Sequence, residues 1–382
     1  MRYFDYAATC PMDDSAIEAY SKAAQSYYGN TESLHDFGTQ AETLLTECRG
    51  TIAQLLGGEA EGICFTSGGT ESNFLGIHAL LQDTKAERNH IIVSQAEHAS
   101  IQNIAAQQKR EGNEVTYIPY TKEGTIDLEL LEAALQRGNA VVAIQHVNPE
   151  LGTIQPVQAV SALCKDYRAL LHVDGVQAFG KVDVADTVKE VHSYAISSHK
   201  VYGPKGVGAL YICPRISVRP LLPNGTHENG MRPGTVNTPG IVAFTVAAQG
   251  VMEKLGERVS IYTRLHSRFK QQLHPVEDCI DWIIPSSIKT IPSVIGLCVK
   301  QVEGQWMMLE GNRRGFAFST GSACHVNSQT PTATLTAMGI GAEEARTFIR
   351  ISFGKDHTEE DIDALCSCLV ETIEERYNIM VK

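Results

Sequence analysis

Asp174 and Lys200 each stand where an apolar run gives way to polar chain, a placement that gives a side chain chemistry. Asp174 follows the run 169–173, where a carboxylate is desolvated unless it meets a cation, and Lys200 follows the run 194–198. By themselves the two read equally as an ion pair capping neighbouring strands. Gly68, Gly69 and Thr70 shift that balance, because they lie between the run 63–67 and an amphipathic stretch. Their amides and the hydroxyl would face the positive end of a helix dipole, a site for phosphate, although alone the triplet reads as a turn with an N-cap. One ligand satisfies all three groups. Pyridoxal 5'-phosphate carries a phosphate, a ring nitrogen for the acid and an aldehyde with which the lysine can form a Schiff base.

Other polar residues fall into the same pattern. His98, after the run 91–94, could lie flat over the ring or move protons, while a single strand-end histidine also reads as a satisfied core residue. Gln177, three residues past Asp174, could donate to the ring's phenolic oxygen. Ser197 and His199 alternate with Ser198 and are expected to share one side of a strand, within reach of the phosphate. Segment 203–208 (Gly-Pro-Lys-Gly-Val-Gly) looks superficially like a phosphate loop, but it opens a strand and lacks the spacing, so it reads as a turn.

The elements that must position these residues follow a rhythm. Short apolar runs at 63–67, 91–94, 140–144, 169–173, 194–198 and 207–213 alternate with helix-patterned stretches such as 71–81 and 157–167. That alternation predicts an α/β fold with a mostly parallel sheet, and ligands bind such sheets beyond the carboxyl ends of the strands. The polar residues above all fall there. From about residue 255 the pattern changes to helix-like 261–273, strand-like 282–284 and 293–299, and a final helix 359–376, which predict a smaller α+β domain.

With 382 residues the chain has room for two domains or one large one, and 43% apolar against 20% charged residues argues against a disordered or collagen-like chain. The 32 basic and 44 acidic residues give a net charge of −12 with no basic run longer than Arg313-Arg314, which argues against direct nucleic-acid binding. Ten cysteines without scaffold spacing read as reduced thiols of a cytoplasmic protein. Cys366 and Cys368 lack a second Cys/His pair at zinc spacing, so no metal site is expected. No apolar stretch has the roughly 18 residues of a membrane span, and the N-terminal residues do not read as an export signal.

The segments Thr-Ser-Gly-Gly-Thr-Glu-Ser-Asn at 66–73, Glu97-His98, His-Val-Asp-Gly-Val-Gln at 172–177, Ser-Ser-His-Lys-Val-Tyr-Gly-Pro-Lys-Gly at 197–206 and Gly-Ser-Ala-Cys at 321–324 stand in one order. Together they resemble the cysteine desulfurases, pyridoxal-phosphate enzymes of the class V aminotransferase group, and the similarity runs from Tyr3 to Asp361. The resemblance implies a fold-type I homodimer with a large cofactor-binding domain over 12–255 and a small domain formed by 1–11 with 256–382. It makes Lys200 the Schiff-base lysine, Asp174 the partner of the ring nitrogen, His98 the stacking residue and Gln177 the donor to the phenolic oxygen. Gly69, Thr70, Ser197 and His199 would hold the phosphate, joined across the dimer by Thr235, which follows Gly-Met-Arg-Pro-Gly at 230–234. Arg350 would clamp the substrate carboxylate with its planar fork, and Asn30, His35 and Asn148 would border the substrate. The family commonly has a second asparagine where this chain has Pro149, and often Asn and Thr at the positions of Tyr6 and Cys10. It also often has a Gly-rich Gln-Glu turn where this chain has Asn-Gly-Thr-His-Glu at 224–228.

Cys324 stands apart from the other cysteines by its surroundings. A cysteine in an intracellular chain is ordinarily a small buried hydrophobe. Around this one, Ser, Thr, Gly, Asn and Gln dominate 319–334 and predict an exposed, mobile loop. A thiolate there could swing to the cofactor, attack the sulfur of bound cysteine and carry it away as a persulfide. The sequence therefore reads as an enzyme that converts L-cysteine to L-alanine, with His98 as a proton donor. Its sulfur would pass to acceptor proteins serving iron–sulfur clusters, tRNA thiolation or thio-cofactors. A selenocysteine lyase or an aminotransferase of the same fold is the neighbouring alternative. A non-catalytic sulfur-trafficking scaffold is the alternative of another class. No motif names the sulfur acceptor.

Overall fold

Buried on both faces, a central strand needs an unbroken apolar run, and the runs in the first two thirds of the chain become the strands of the main sheet. The computed structural model describes residues 1–84, 86, 88–220, 225–284, 287–320 and 332–380. After the short β1 (Arg2–Tyr3), the main sheet is built from β2 (Ile63–Thr66), β3 (His90–Ser94), β4 (Glu114–Ile118), β5 (Ala140–Gln145), β6 (Leu170–Asp174), β7 (Ser193–Ser197) and β8 (Gly208–Ile212). Their spatial order is β2-β8-β7-β6-β5-β3-β4. Only β8 runs antiparallel to its neighbours; the remaining pairs are parallel. β4 escapes the apolar pattern because it is the edge strand, half-exposed along Glu114, Val115 and Thr116.

A second sheet contains β9 (Ile280–Trp282) and β10 (Val294–Val299), while β11 (Phe316–Ala317) pairs in parallel with β1 and β12 (Phe348–Ser352) completes the antiparallel order β12-β10-β9. The strand expected at 282–284 lies two residues earlier, where Trp282 pairs with Leu297. One apolar core, including Val142, Leu171, Val173, Ile196 and Phe244, fills the space between the main sheet and helices such as Gly69–Asp83 and Thr238–Glu253. Another gathers Phe269, Leu297, Ile349, Ile351 and Leu365 between the small sheet and helices Leu255–Gln272 and Glu359–Met380. Phe4 packs into the second core while Tyr6, Ala7 and Cys10 pack into the first, so the N-terminal segment crosses between them.

Glu228 ties the chain after β8 back to β2: its carboxylate accepts from Arg49 Nη1 and Nη2 at 2.9 and 2.7 Å and from the Phe65 amide at 2.6 Å. Among the described residues no helix is long and apolar enough to cross a membrane, and no group of three or more His, Cys, Asp or Glu could hold a metal ion.

Candidate active site

The carboxyl ends of β2, β3, β5, β6 and β7 border a cleft of about 480 Å³. Gly69, Thr70, His98, Asp174, Gln177, Ser197, His199 and Lys200 line it, and Arg350 enters from β12. Residues spread over 281 positions of sequence thus meet because parallel strands deliver their ends to one rim.

Asp174 ends β6 and is 6% exposed. Its Oδ2 accepts from Asn73 Nδ2 at 2.8 Å and its Oδ1 from the Val176 amide at 3.0 Å. A carboxylate only accepts, so the amide oxygen of Asn73 must face the other way, where it meets His172 Nε2 at 3.0 Å. Burial pushes His172 down to about 3, which keeps it neutral. It therefore donates from Nε2 and accepts at Nδ1 from Ser193 Oγ, 2.8 Å away. Asn73 also reaches Ser100 Oγ at 3.0 Å, and Ser100 Oγ lies 2.9 Å from His98 Nδ1, linking the acid to the histidine across the cleft. Asn73 ends the segment 66–73, but nothing in its position along the chain reveals this role.

His98 caps the helix Ala99–Arg110, its Nδ1 accepting from the Ser100 amide at 3.1 Å; in the neutral ring the hydrogen is then on Nε2. Glu97 beside it is buried, with Oε1 accepting from Ser94 Oγ at 2.5 Å and from the Gln145 amide at 3.0 Å. Loss of water, reinforced by Asp174, raises it to about 8, so it is a neutral acid near pH 7.

At the end of β2, Gly68 adopts φ 146°, a conformation open to glycine, and a Cβ on Gly69 would lie 2.7 Å from Val176 Cγ2. Ser197 Oγ, on a residue 2% exposed, is buried there without a hydrogen-bond partner. A partnerless hydroxyl lining the same cleft as the first residues of helix Gly69–Asp83 fits a phosphate group. The expectation that Ser197 and His199 share a strand face is not met. β7 stops at Ser197, and Ser198–Lys200 tighten into a single 3-10 turn that presents His199 to the cleft instead. His199 Nδ1 lies 3.0 Å from Thr9 Oγ1, and burial followed by the charges of Lys200, Lys205 and Lys181 takes it down to about 4.

Lys200 makes no salt bridge with Asp174; its Nζ donates to the carbonyls of Ala7 at 2.5 Å and Ala8 at 2.8 Å. Loss of water, then the charges of Lys181 and Arg350, lower the amine to about 7. Arg350 Nη2 donates to Asp5 Oδ1 at 2.6 Å and Nη1 to the Pro149 carbonyl at 3.1 Å, while Nε is buried without a partner. Pro149 has no amide to offer, but its carbonyl steadies the guanidinium.

Asn148 is placed differently from expectation. It is fully buried and does not line the cleft: Oδ1 accepts from the amides of Glu150 and Leu151, each at 2.9 Å, and Nδ2 donates to Thr334 Oγ1 at 2.9 Å. Its amide oxygen is spent on a turn and its NH2 on Thr334. Asn30, His35 and Thr235 are exposed and also stand outside the cleft lining, His35 capping helix Asp36–Leu56. Cys324, with 321–331, lies outside the described residues. The expected loop 319–334 is anchored at both described ends. Ser319 exchanges backbone hydrogen bonds with Arg350, and Thr332 caps helix Ala333–Ala337, whose Leu335 is buried.

Residues 2–365 match the aminotransferase class-V family. The chain belongs to that family. Over 369 residues it is 42% identical to the NifS protein of Bacillus subtilis (strain 168), covering 96% of this chain and 93% of the relative. It is 35% identical over 374 residues to the cysteine desulfurase IscS 1 of Archaeoglobus fulgidus, covering 98% and 97%. A solved NifS-like protein superposes with a TM-score of 0.90 at 31% identity, over 98% of this chain and 100% of that one. The class V aminotransferases are pyridoxal-phosphate enzymes, and the fold here is their fold-type I architecture.

Proposed function

We propose that this protein is a homodimeric, cytoplasmic cysteine desulfurase that uses pyridoxal phosphate to turn L-cysteine into L-alanine and hands the sulfur to acceptor proteins. One observation carries the reading. The unsatisfied Ser197 hydroxyl, the Asn73-held carboxylate of Asp174 and the carbonyl-held amine of Lys200 line one cleft with Arg350. The bound cofactor supplies an aldehyde for a Schiff base and a protonated ring that draws electrons from the substrate's α-carbon.

The chain's own residues do the rest. Gly69, Thr70, Ser197 and His199 hold the phosphate, Asp174 keeps the ring nitrogen protonated, and Gln177 donates to the phenolic oxygen. His98 stacks on the ring and, in its doubly protonated form with Nδ1 donating to Ser100 Oγ, gives a proton from Nε2. Lys200, poised near neutrality, takes the α-proton at Nζ. Arg350 binds the substrate carboxylate. Cys324 attacks the substrate sulfur, so that an S–S bond forms as the C–S bond breaks, and the carbon that keeps the electron pair is protonated on the way to alanine. The division into 12–255 and 1–11 with 256–382 suits this work, since the N-terminal segment brings Asp5 to Arg350, Ala7 and Ala8 to Lys200, and Thr9 to His199. Exposed Ile17, Tyr20, Tyr28, Leu34 and Phe37 support a partner protomer covering this stretch, which would bring Asn30, His35 and Thr235 to a shared site.

Alanine release from L-cysteine by the purified holoprotein is the direct test. Release with selenocysteine alone points to a lyase, and none with either points to the scaffold reading. The charge on Lys200 gives a pH prediction. Only the neutral amine attacks an aldehyde, so uptake of the cofactor by cofactor-free protein is half-maximal near pH 7 and slows about tenfold per unit below it. A pH-independent rate in stopped-flow absorbance would contradict the state assigned to Lys200. Arg350→Lys keeps the charge but loses the fork, and is expected to raise KM for L-cysteine roughly tenfold or more while the protein stays coloured. An unchanged KM would remove Arg350 from the substrate site.

A further inference from the structure

Lys200 also borders a second, much smaller cavity of about 20 Å³, which Lys181 shares. Lys181 does not line the main cleft and takes no part in the reaction outlined above. Its Nζ donates to the side-chain oxygen of Gln177 at 3.0 Å and to the Gln177 carbonyl at 3.2 Å. Gln177 Nε2 in turn donates at 2.7 Å to the Ala7 carbonyl, the oxygen that also receives Lys200. Two lysines are therefore joined through one glutamine and one carbonyl.

A glutamine alone can present either end of its amide. An ammonium can only donate, so the Gln177 oxygen must face Lys181 and its NH2 must face the other way. The charge of Lys181 meets little opposition. The titratable groups around the cavity are Tyr6 and Cys10 from the N-terminal segment, Lys200 and Tyr202 after β7, and Arg258 and Tyr262 on helix Leu255–Gln272. No carboxylate is among them. Burial lowers Lys181 to about 8, which leaves it mostly protonated near neutral pH, and raises Cys10, which keeps that thiol neutral.

We propose, resting on the roles given above to Lys200 and Gln177, that Lys181 is a positioning residue: it fixes the Gln177 amide with its NH2 available to the cofactor's phenolic oxygen, and its charge weakens the hold of the Lys200 nitrogen on a proton. Both effects act in one direction on the cofactor's colour. Removing the cation favours the protonated chromophore, and so does losing a donor to the phenolate.

Absorbance titration of the purified holoprotein from roughly pH 6 to 10 reads this without relying on turnover. Lys181→Met is expected to move the chromophore's midpoint to higher pH by roughly one unit, a tenfold gain in proton affinity. Lys181→Arg, which keeps charge and donors, is expected to hold the wild-type midpoint. A Lys181→Met midpoint that stays put or falls overturns the proposal, as does an equal shift in both variants, which would mark a packing role alone. If Lys181→Met fails to retain cofactor, Lys181→Gln is titrated instead: an alkaline shift from the lost charge supports the proposal and an unmoved midpoint overturns it. A wild-type protein that takes up no cofactor and shows no chromophore would defeat the underlying cofactor reading instead.

Discussion

Cys324→Ala is expected to give a folded, coloured protein that forms no persulfide and releases alanine from L-cysteine at least roughly three orders of magnitude more slowly. The reason lies in the cysteines that remain. Eight of the nine other thiols are buried and Cys279 is half-buried. None lines the cleft. Burial raises Cys48, Cys64, Cys164, Cys298, Cys366 and Cys368, so the reactive thiolate is scarce at each. Cys10 comes nearest, its Sγ 3.4 Å from the Lys200 carbonyl, but it is buried against the small inner cavity and its thiol is likewise raised. Among the described residues no cysteine is placed to stand in for the proposed nucleophile. The measurement is alanine release with a thiol reductant present, alongside mass spectrometry for the persulfide. Alanine production retained under those conditions would reject Cys324 as the nucleophile.

Lys200→Ala should be as damaging by a different route. In the proposed mechanism the amine both anchors the cofactor and takes the α-proton, so turnover is expected to fall by roughly three orders of magnitude or more. Asp174, Gln177 and Ser197 remain, so the cofactor is still expected to bind, now without a covalent link. Borohydride reduction separates the two statements. In the wild type it should label Lys200 and nothing else. In the variant the label should vanish although the colour at saturating cofactor persists. Lys181 makes the experiment demanding, because it is a second amine of lowered basicity bordering the same small cavity. A label on Lys181 in the wild type would mean that the two lysines have been assigned the wrong way round.

Much of this site was legible along the chain. Strands buried on both faces must be continuous apolar runs, so β2, β3, β5, β6, β7 and β8 stand out in the sequence, and the polar residues that follow the mutually parallel β2, β3, β5, β6 and β7 meet at one rim. The cofactor proposed here rests on residue types and their places together, since an acid, an amine and a glycine turn at strand ends on one rim match its three functional groups. β4 was illegible because an edge strand does not need two apolar faces. The end of β7 is not legible, because alternation says nothing of where a strand tightens into a 3-10 turn.

What the tertiary structure decided is who completes each polar group. The partners of Lys200 are the carbonyls of Ala7 and Ala8, nearly two hundred residues away, and a backbone oxygen carries no sequence signature. The chain Ser193, His172, Asn73 and Asp174 follows from which neighbours can donate and which can accept once they touch. Asn148 looked like a substrate contact and serves a turn, because a buried amide satisfies the nearest backbone groups first. Residue type and strand order determine which chemistry is possible here. Hydrogen-bond satisfaction between distant segments determines which atoms are left free to perform it.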